Sequence, residues 1–78
     1  MNETDVKPAI LAVVRERGPI GWYGIEIHLP VPRHVFKDGY TLMTYLEEMV
    51  TSGSIERIAA ADGERFVVAK HPWGSASG

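Results

Sequence analysis

The side chains of this chain with the most specific chemistry are its histidines, its adjacent carboxylates, its small hydroxyls and its basic residues. His28, His34 and His71 are spaced irregularly, with no HExxH, no CxxC and no accompanying carboxylate cluster, so no metal site is expected. Glu47 and Glu48 are consecutive. On a helix, consecutive side chains diverge by about 100°, so the two cannot serve one substrate as acid and base. Ser52 and Ser54 flank Gly53, where small polar residues suit a helix stop. There is no cysteine nucleophile, no GxSxG and no phosphate-cradling glycine loop. The expectation is a protein that is not an enzyme, with no cofactor and no evident small-molecule substrate.

The basic residues do form a pattern. Arg33, His34 and Lys37 cluster ahead of an apolar helical stripe, Arg57 and Arg65 flank a hairpin signal, and Lys70 follows it. Such positions suit phosphate contact, and Arg57 and Arg65 are expected to pair across the hairpin. Tyr40, Thr41, Thr44 and Tyr45 stand where the stripe begins, placed to reach bases or phosphates if that helix enters a major groove. Glu47 and Glu48 further along it, and Asp62 and Glu64 at the hairpin tip, oppose a phosphate field.

The elements that must position these residues read as helix, helix, helix, hairpin. Val6, Ile10, Val13 and Val14 recur at helical spacing with Leu11 beside them, Thr4 or Asp5 can cap the start, and Gly18-Pro19 ends the run. This predicts a helix over about 5–17. The next segment fits two patterns. Trp22, Ile25 and Leu29 share a helical face, whereas Ile25, Ile27 and Leu29 alternate with polar residues as in a strand. A short helix over 22–29 is the preferred reading, because two other helices need a third layer; Ile20 supplies one residue of strand before it. Residues 30–40 form a loop. Leu42, Leu46, Met49 and Val50 predict a helix over 41–52, capped by Thr41 and stopped by Gly53. Asp62-Gly63 between two β-prone runs predicts a hairpin, with Phe66, Val68, Ile55 and, through a small offset, Ile58 on one face.

The 78 residues suffice for one domain, expected over 1–72, with WGSASG at 73–78 as a flexible tail. Hydrophobic residues make up 45% and charged residues 23%, with formal net charge −2. That composition excludes disorder, collagen and coiled coil, and the negative charge opposes non-specific DNA affinity. Without cysteine there is no disulfide or thiolate zinc staple, so packing or a partner chain must stabilise so small a core. No apolar stretch approaches a membrane span, and the polar, acidic N-terminus predicts no signal peptide. A cytoplasmic location is expected. The expected core is Val6, Ile10, Leu11, Val14, Trp22, Ile25, Leu29, Leu42, Leu46, Met49, Val50, Ile55, Phe66 and Val68. Phe36 is expected to pin its loop, and Tyr23, Tyr40 and Trp73 to stay exposed, where a cluster would mark a protein-binding or dimer surface.

The stretch TLMTYLEEMVTSGSIERIAAADGERFVVA, a helix stripe followed by a glycine stop and a hairpin, resembles the recognition helix and wing of winged helix-turn-helix domains. ILAVVRERGPIGWYGIEI is similar to the N-terminal half of PadR-type bacterial regulators. The likeness covers about residues 6–70. It implies an α+β winged helix of three helices plus a short antiparallel hairpin. It also implies a small bacterial or phage transcription regulator that binds specific double-stranded DNA. Helix 3 would lie in the major groove and the 61–64 wing near the backbone, with Arg33, Lys37, Tyr40, Thr41, Thr44, Tyr45, Arg57 and Arg65 in contact. The chain departs from that pattern in three ways. The expected outer face of its third helix, Thr44, Tyr45, Glu47, Glu48 and Thr51, carries no Lys or Arg; the loop before it is long; and no dimerisation helix is predicted after Lys70. The acidic third helix, the negative net charge and the spare aromatic residues favour the alternative, a winged helix used for protein–protein interaction, with a homodimer or another protein as partner. Charge geometry separates the two: one basic face points to DNA, a mixed surface with an apolar patch to protein.

Overall fold

The computed structural model describes residues 2–69; Lys70, His71, Trp73 and the 73–78 segment lie outside the described residues. Helix α1 spans Val6–Arg17. The chain approaches it through a 3-10 turn over Glu3–Asp5. Asp5 does not cap α1 with its side chain, and its carboxylate instead accepts from the Asn2 amide at 2.8 Å. Val6, Ile10, Val13 and Val14 are buried at i, i+4, i+7 and i+8. Val13 therefore takes the inward place expected of Leu11, which packs at the core's edge. Beyond the helix, Ile20 forms the expected single-residue bridge, exchanging backbone hydrogen bonds with Phe66 at 3.1 and 2.8 Å.

The ambiguous segment is helical. Helix α2 spans Trp22–His28, and its one buried residue is Ile25. Gly24 faces Ile20, whose Cγ1 would lie 2.8 Å from a Cβ placed there. Trp22 was expected in the core and is not: it keeps about half of its surface exposed. Ile25 supplies the inward contact of so short a helix, and Phe66 and Tyr45 are the largest fully buried side chains. Leu29 packs at the core's edge and Val31, between two prolines, is buried. A 3-10 turn over Arg33–Val35 follows, and Phe36 meets the Tyr45 ring edge-on at 5.1 Å, pinning the loop as expected.

Helix α3 spans Leu42–Thr51. Thr41 Oγ1 accepts from the Thr44 amide at 3.3 Å while the Thr41 amide donates to Thr44 Oγ1 at 3.2 Å, a reciprocal cap. At the far end Gly53 has φ +86. The Gly53 amide donates to the Val50 carbonyl and the Ser54 amide to the Met49 carbonyl, the pattern of a Schellman stop. The buried stripe is Leu42, Tyr45, Leu46 and Met49. Tyr45 thus belongs to the core and not to the outer face, and Val50 moves to the flank. The apolar arc is rotated toward Tyr45 because that ring fills the space under the loop, between Phe36 and Tyr40.

Strands β1, Ile55–Ala60, and β2, Gly63–Val68, pair antiparallel from Ile55↔Val68 to Ala60↔Gly63. The connection is Ala61-Asp62, with Gly63 taking the positive φ of 137 just after it. Directly paired residues share a face and the face alternates along a strand. Ile55, Arg57, Phe66 and Val68 therefore point one way, and Ile58 and Arg65 the other. This corrects two expectations: Ile58 is not on the core face, and Arg57 and Arg65 do not pair across the hairpin. Among the described residues the arrangement is a small α+β fold with a winged-helix-like layout, three α-helices and a two-stranded antiparallel sheet. Among the described residues no helix is long and apolar enough to cross a membrane.

Candidate interaction surface

The residues expected to meet DNA are placed as follows. Arg33 opens the turn after α2 and is ion-paired with Glu26 of that helix. Arg57 lies 3.6 Å from Glu64 and over the Phe66 ring at 5.8 Å. Arg65 holds both oxygens of Asp62 at 2.9 and 2.8 Å. The Lys37 ammonium sits over the Tyr40 ring at 5.2 Å. Three of these four cations thus already face a carboxylate, and the two hairpin arginines occupy opposite faces. Exposed ion pairs are individually weak, about 0–1 kcal/mol, so a phosphate could displace one. The local net charge, which drives counterion release, is nonetheless close to zero at each pair.

The start of α3 is committed to holding the fold. Thr41 and Thr44 spend their hydroxyls on the cap. Tyr40 donates to Glu48 at 2.5 Å, and Lys7 of α1 pairs with the other oxygen of the same carboxylate at 2.8 Å. The Lys7 hydrogen bond, joined by that of Tyr40, holds the Glu48 carboxyl below its ordinary value. The bond to Glu48 correspondingly pushes the Tyr40 phenol up. The Tyr45 hydroxyl accepts from the Lys37 amide at 2.8 Å and donates to Glu3 at 3.0 Å, and burial raises its pKa. Glu47 and Thr51 are the exposed residues of α3, with Thr44 half-buried, and none of the three carries positive charge. Lys37, Tyr40, Tyr45 and Glu48 are therefore brought together, but as a clamp between loop, α1 and α3.

Among the described residues, the exposed large apolar side chains lie elsewhere, mostly on α2. Trp22, Tyr23 and Ile27 are 48, 64 and 61% exposed, and Ile58 on the outer hairpin face is 37% exposed. At about 100° per residue, Trp22, Glu26, Tyr23 and Ile27 follow one another around an outer arc of about 140°, away from buried Ile25. The Trp22 and Tyr23 rings meet edge-on at 5.7 Å. The hairpin abuts the start of this arc: a Cβ at Gly21 would lie 3.1 Å from Arg65 Nη1. Sequence reading left Tyr23 exposed but assigned Trp22 to the core and used Ile27 only in the strand pattern that was not preferred. The available signal was Ile27 itself, apolar on the face opposite Ile25.

No protein-family model, curated protein or solved structure matches this chain.

Proposed function

We propose that the chain is a protein-interaction domain that binds through the outer face of α2. One observation carries this reading: Trp22, Tyr23 and Ile27 are exposed together on one helical arc, while Arg33, Arg57 and Arg65 each face a carboxylate. Exposed aromatic residues are the side chains that protein interfaces use as anchors. A surface of mixed charge beside an apolar patch suits that use better than it suits a phosphate backbone. Cysteine-free composition is consistent with a reducing compartment, and a cytoplasmic location is part of the proposal.

The second reading, specific binding of double-stranded DNA, draws support from the order of helices and hairpin, which matches a winged-helix layout. Fold alone does not choose between the two uses. A backbone-amide NMR titration with mixed duplex of about 20 base pairs, at about 50 and 200 mM salt, separates them. The protein-binding reading predicts no shifts over residues 33–45 or the hairpin. Salt-sensitive shifts there would overturn it and restore the DNA reading. In parallel, peptides selected from a random library on the wild-type chain are expected to lose about tenfold or more in affinity for Tyr23→Ser. Peptides that bind both chains equally would remove α2 as the binding face.

A further inference from the structure

The α2 arc carries its own acid and base. Glu26 lies between Trp22 and Tyr23 around the helix, and Arg33 reaches it from the following turn. A strongly acidic or strongly basic partner finds no complement there, whereas a surface with the same distribution does. A two-fold contact needs this property, since one patch must be complementary to itself. Resting on the reading of α2 as a protein-binding face, we propose that its occupant is a second copy of this chain, the two α2 helices packing antiparallel across a two-fold axis.

In that arrangement Tyr23 of each copy meets the partner's Ile27, because an i, i+4 pair maps onto itself when the helix direction is reversed. Glu26 exchanges its own Arg33 for the partner's Arg33, so neither charge is stranded when the apolar arc loses water. The exposed portions of Trp22, Tyr23 and Ile27 come to roughly 350 Å² per copy. A standard interface covers about 800 Å² per partner, so the dimer belongs to the small, transient class. It forms at high concentration and exchanges quickly.

Sedimentation equilibrium from about 10 µM to about 1 mM tests this. The wild-type weight-average mass is expected to climb from monomer toward dimer. Ile27→Ser should weaken association about tenfold or more; should that variant fail to fold, Tyr23→Ser replaces it. Glu26→Arg alone and Arg33→Glu alone should each weaken self-association by a similar factor, because each places like charges opposite one another. An equimolar mixture of the two should recover most of the wild-type association. A wild type that stays monomeric at about 1 mM overturns the proposal, as does a charge-swapped mixture that fails to associate. If the chain is monomeric yet library peptides bind it and lose affinity for Tyr23→Ser, the second copy is excluded and the protein-binding reading stands. If neither occurs, both fall.

Discussion

Glu48 is the residue on which α1, the loop and α3 converge. Its two oxygens hold Lys7 and Tyr40, and the bond from Lys7 is the larger cause of its lowered pKa. A carboxyl that binds its proton less tightly folded than unfolded leaves the unfolded state with more protons at low pH. Its stabilising effect is complete above the unfolded value of 4.5 and is lost as pH falls through the lower folded value. Glu48→Gln keeps an acceptor for Tyr40 but releases Lys7. In thermal unfolding followed by circular dichroism from about pH 7 to about pH 2, the wild type should melt higher at neutral pH. The two curves should converge in acid. Parallel curves across that range would show that the carboxylate charge does not contribute. The neighbouring Tyr45 shows why part of this clamp was illegible. Its position, three after Leu42 and four before Met49, lies squarely on the buried stripe. A phenol admits either side of a helix, and only the tertiary partners of its hydroxyl, the Lys37 amide and Glu3, decide for the inside.

At the scale of elements, punctuation was more legible than orientation. Thr41 and Gly53 mark the ends of α3 because a cap and a positive φ are local demands that only a few residue types meet. Gly53 has φ +86, so Gly53→Ala would force a side chain into the left-handed region at a cost of about 1 kcal/mol. Urea unfolding should show that loss with an unchanged slope, whereas a loss below about 0.3 kcal/mol would mean the helix stop relaxes around the methyl group. The rotation of α3 was set by contacts distant in sequence, those of Tyr45 with Phe36, the Lys37 amide and Glu3. In α2 the determinants are local: Ile20 leaves no room for a side chain at Gly24, and Ile27 faces out because Ile25 already fills the inward place. The hairpin pairing fixed the faces of Ile58, Arg57 and Arg65: Arg57 pairs with Phe66 and Ile58 with Arg65, so a two-residue connection leaves the two arginines on opposite faces.

For the molecule as a whole, Phe66 is the residue that makes helices and hairpin one unit. A two-stranded hairpin is at best marginal in water by itself. Here its buried face, Ile55 and Phe66, joins the same cluster as Val6, Ile10, Val14, Ile25 and Leu46. Phe66 also exchanges two backbone hydrogen bonds with Ile20, which precedes α2. The far end of the hairpin, residues 57–64, is exposed and contributes little to that core. Opening should therefore come in two grades. Amide hydrogen exchange at Ile20, Phe66 and the inner residues of α1 and α3 should report one common free energy, that of global unfolding, while the Ala59 to Glu64 amides exchange faster through local fraying. Phe66→Ala should cost about 3–5 kcal/mol, a large share of the stability of so small a domain. Its signature distinguishes a unifying anchor from a local one. If Phe66 unifies the fold, helical and sheet signals are lost together in a single transition at lower urea. If Phe66→Ala melted the hairpin and left α1 and α3 protected, the hairpin would be an appendage on an independent three-helix unit.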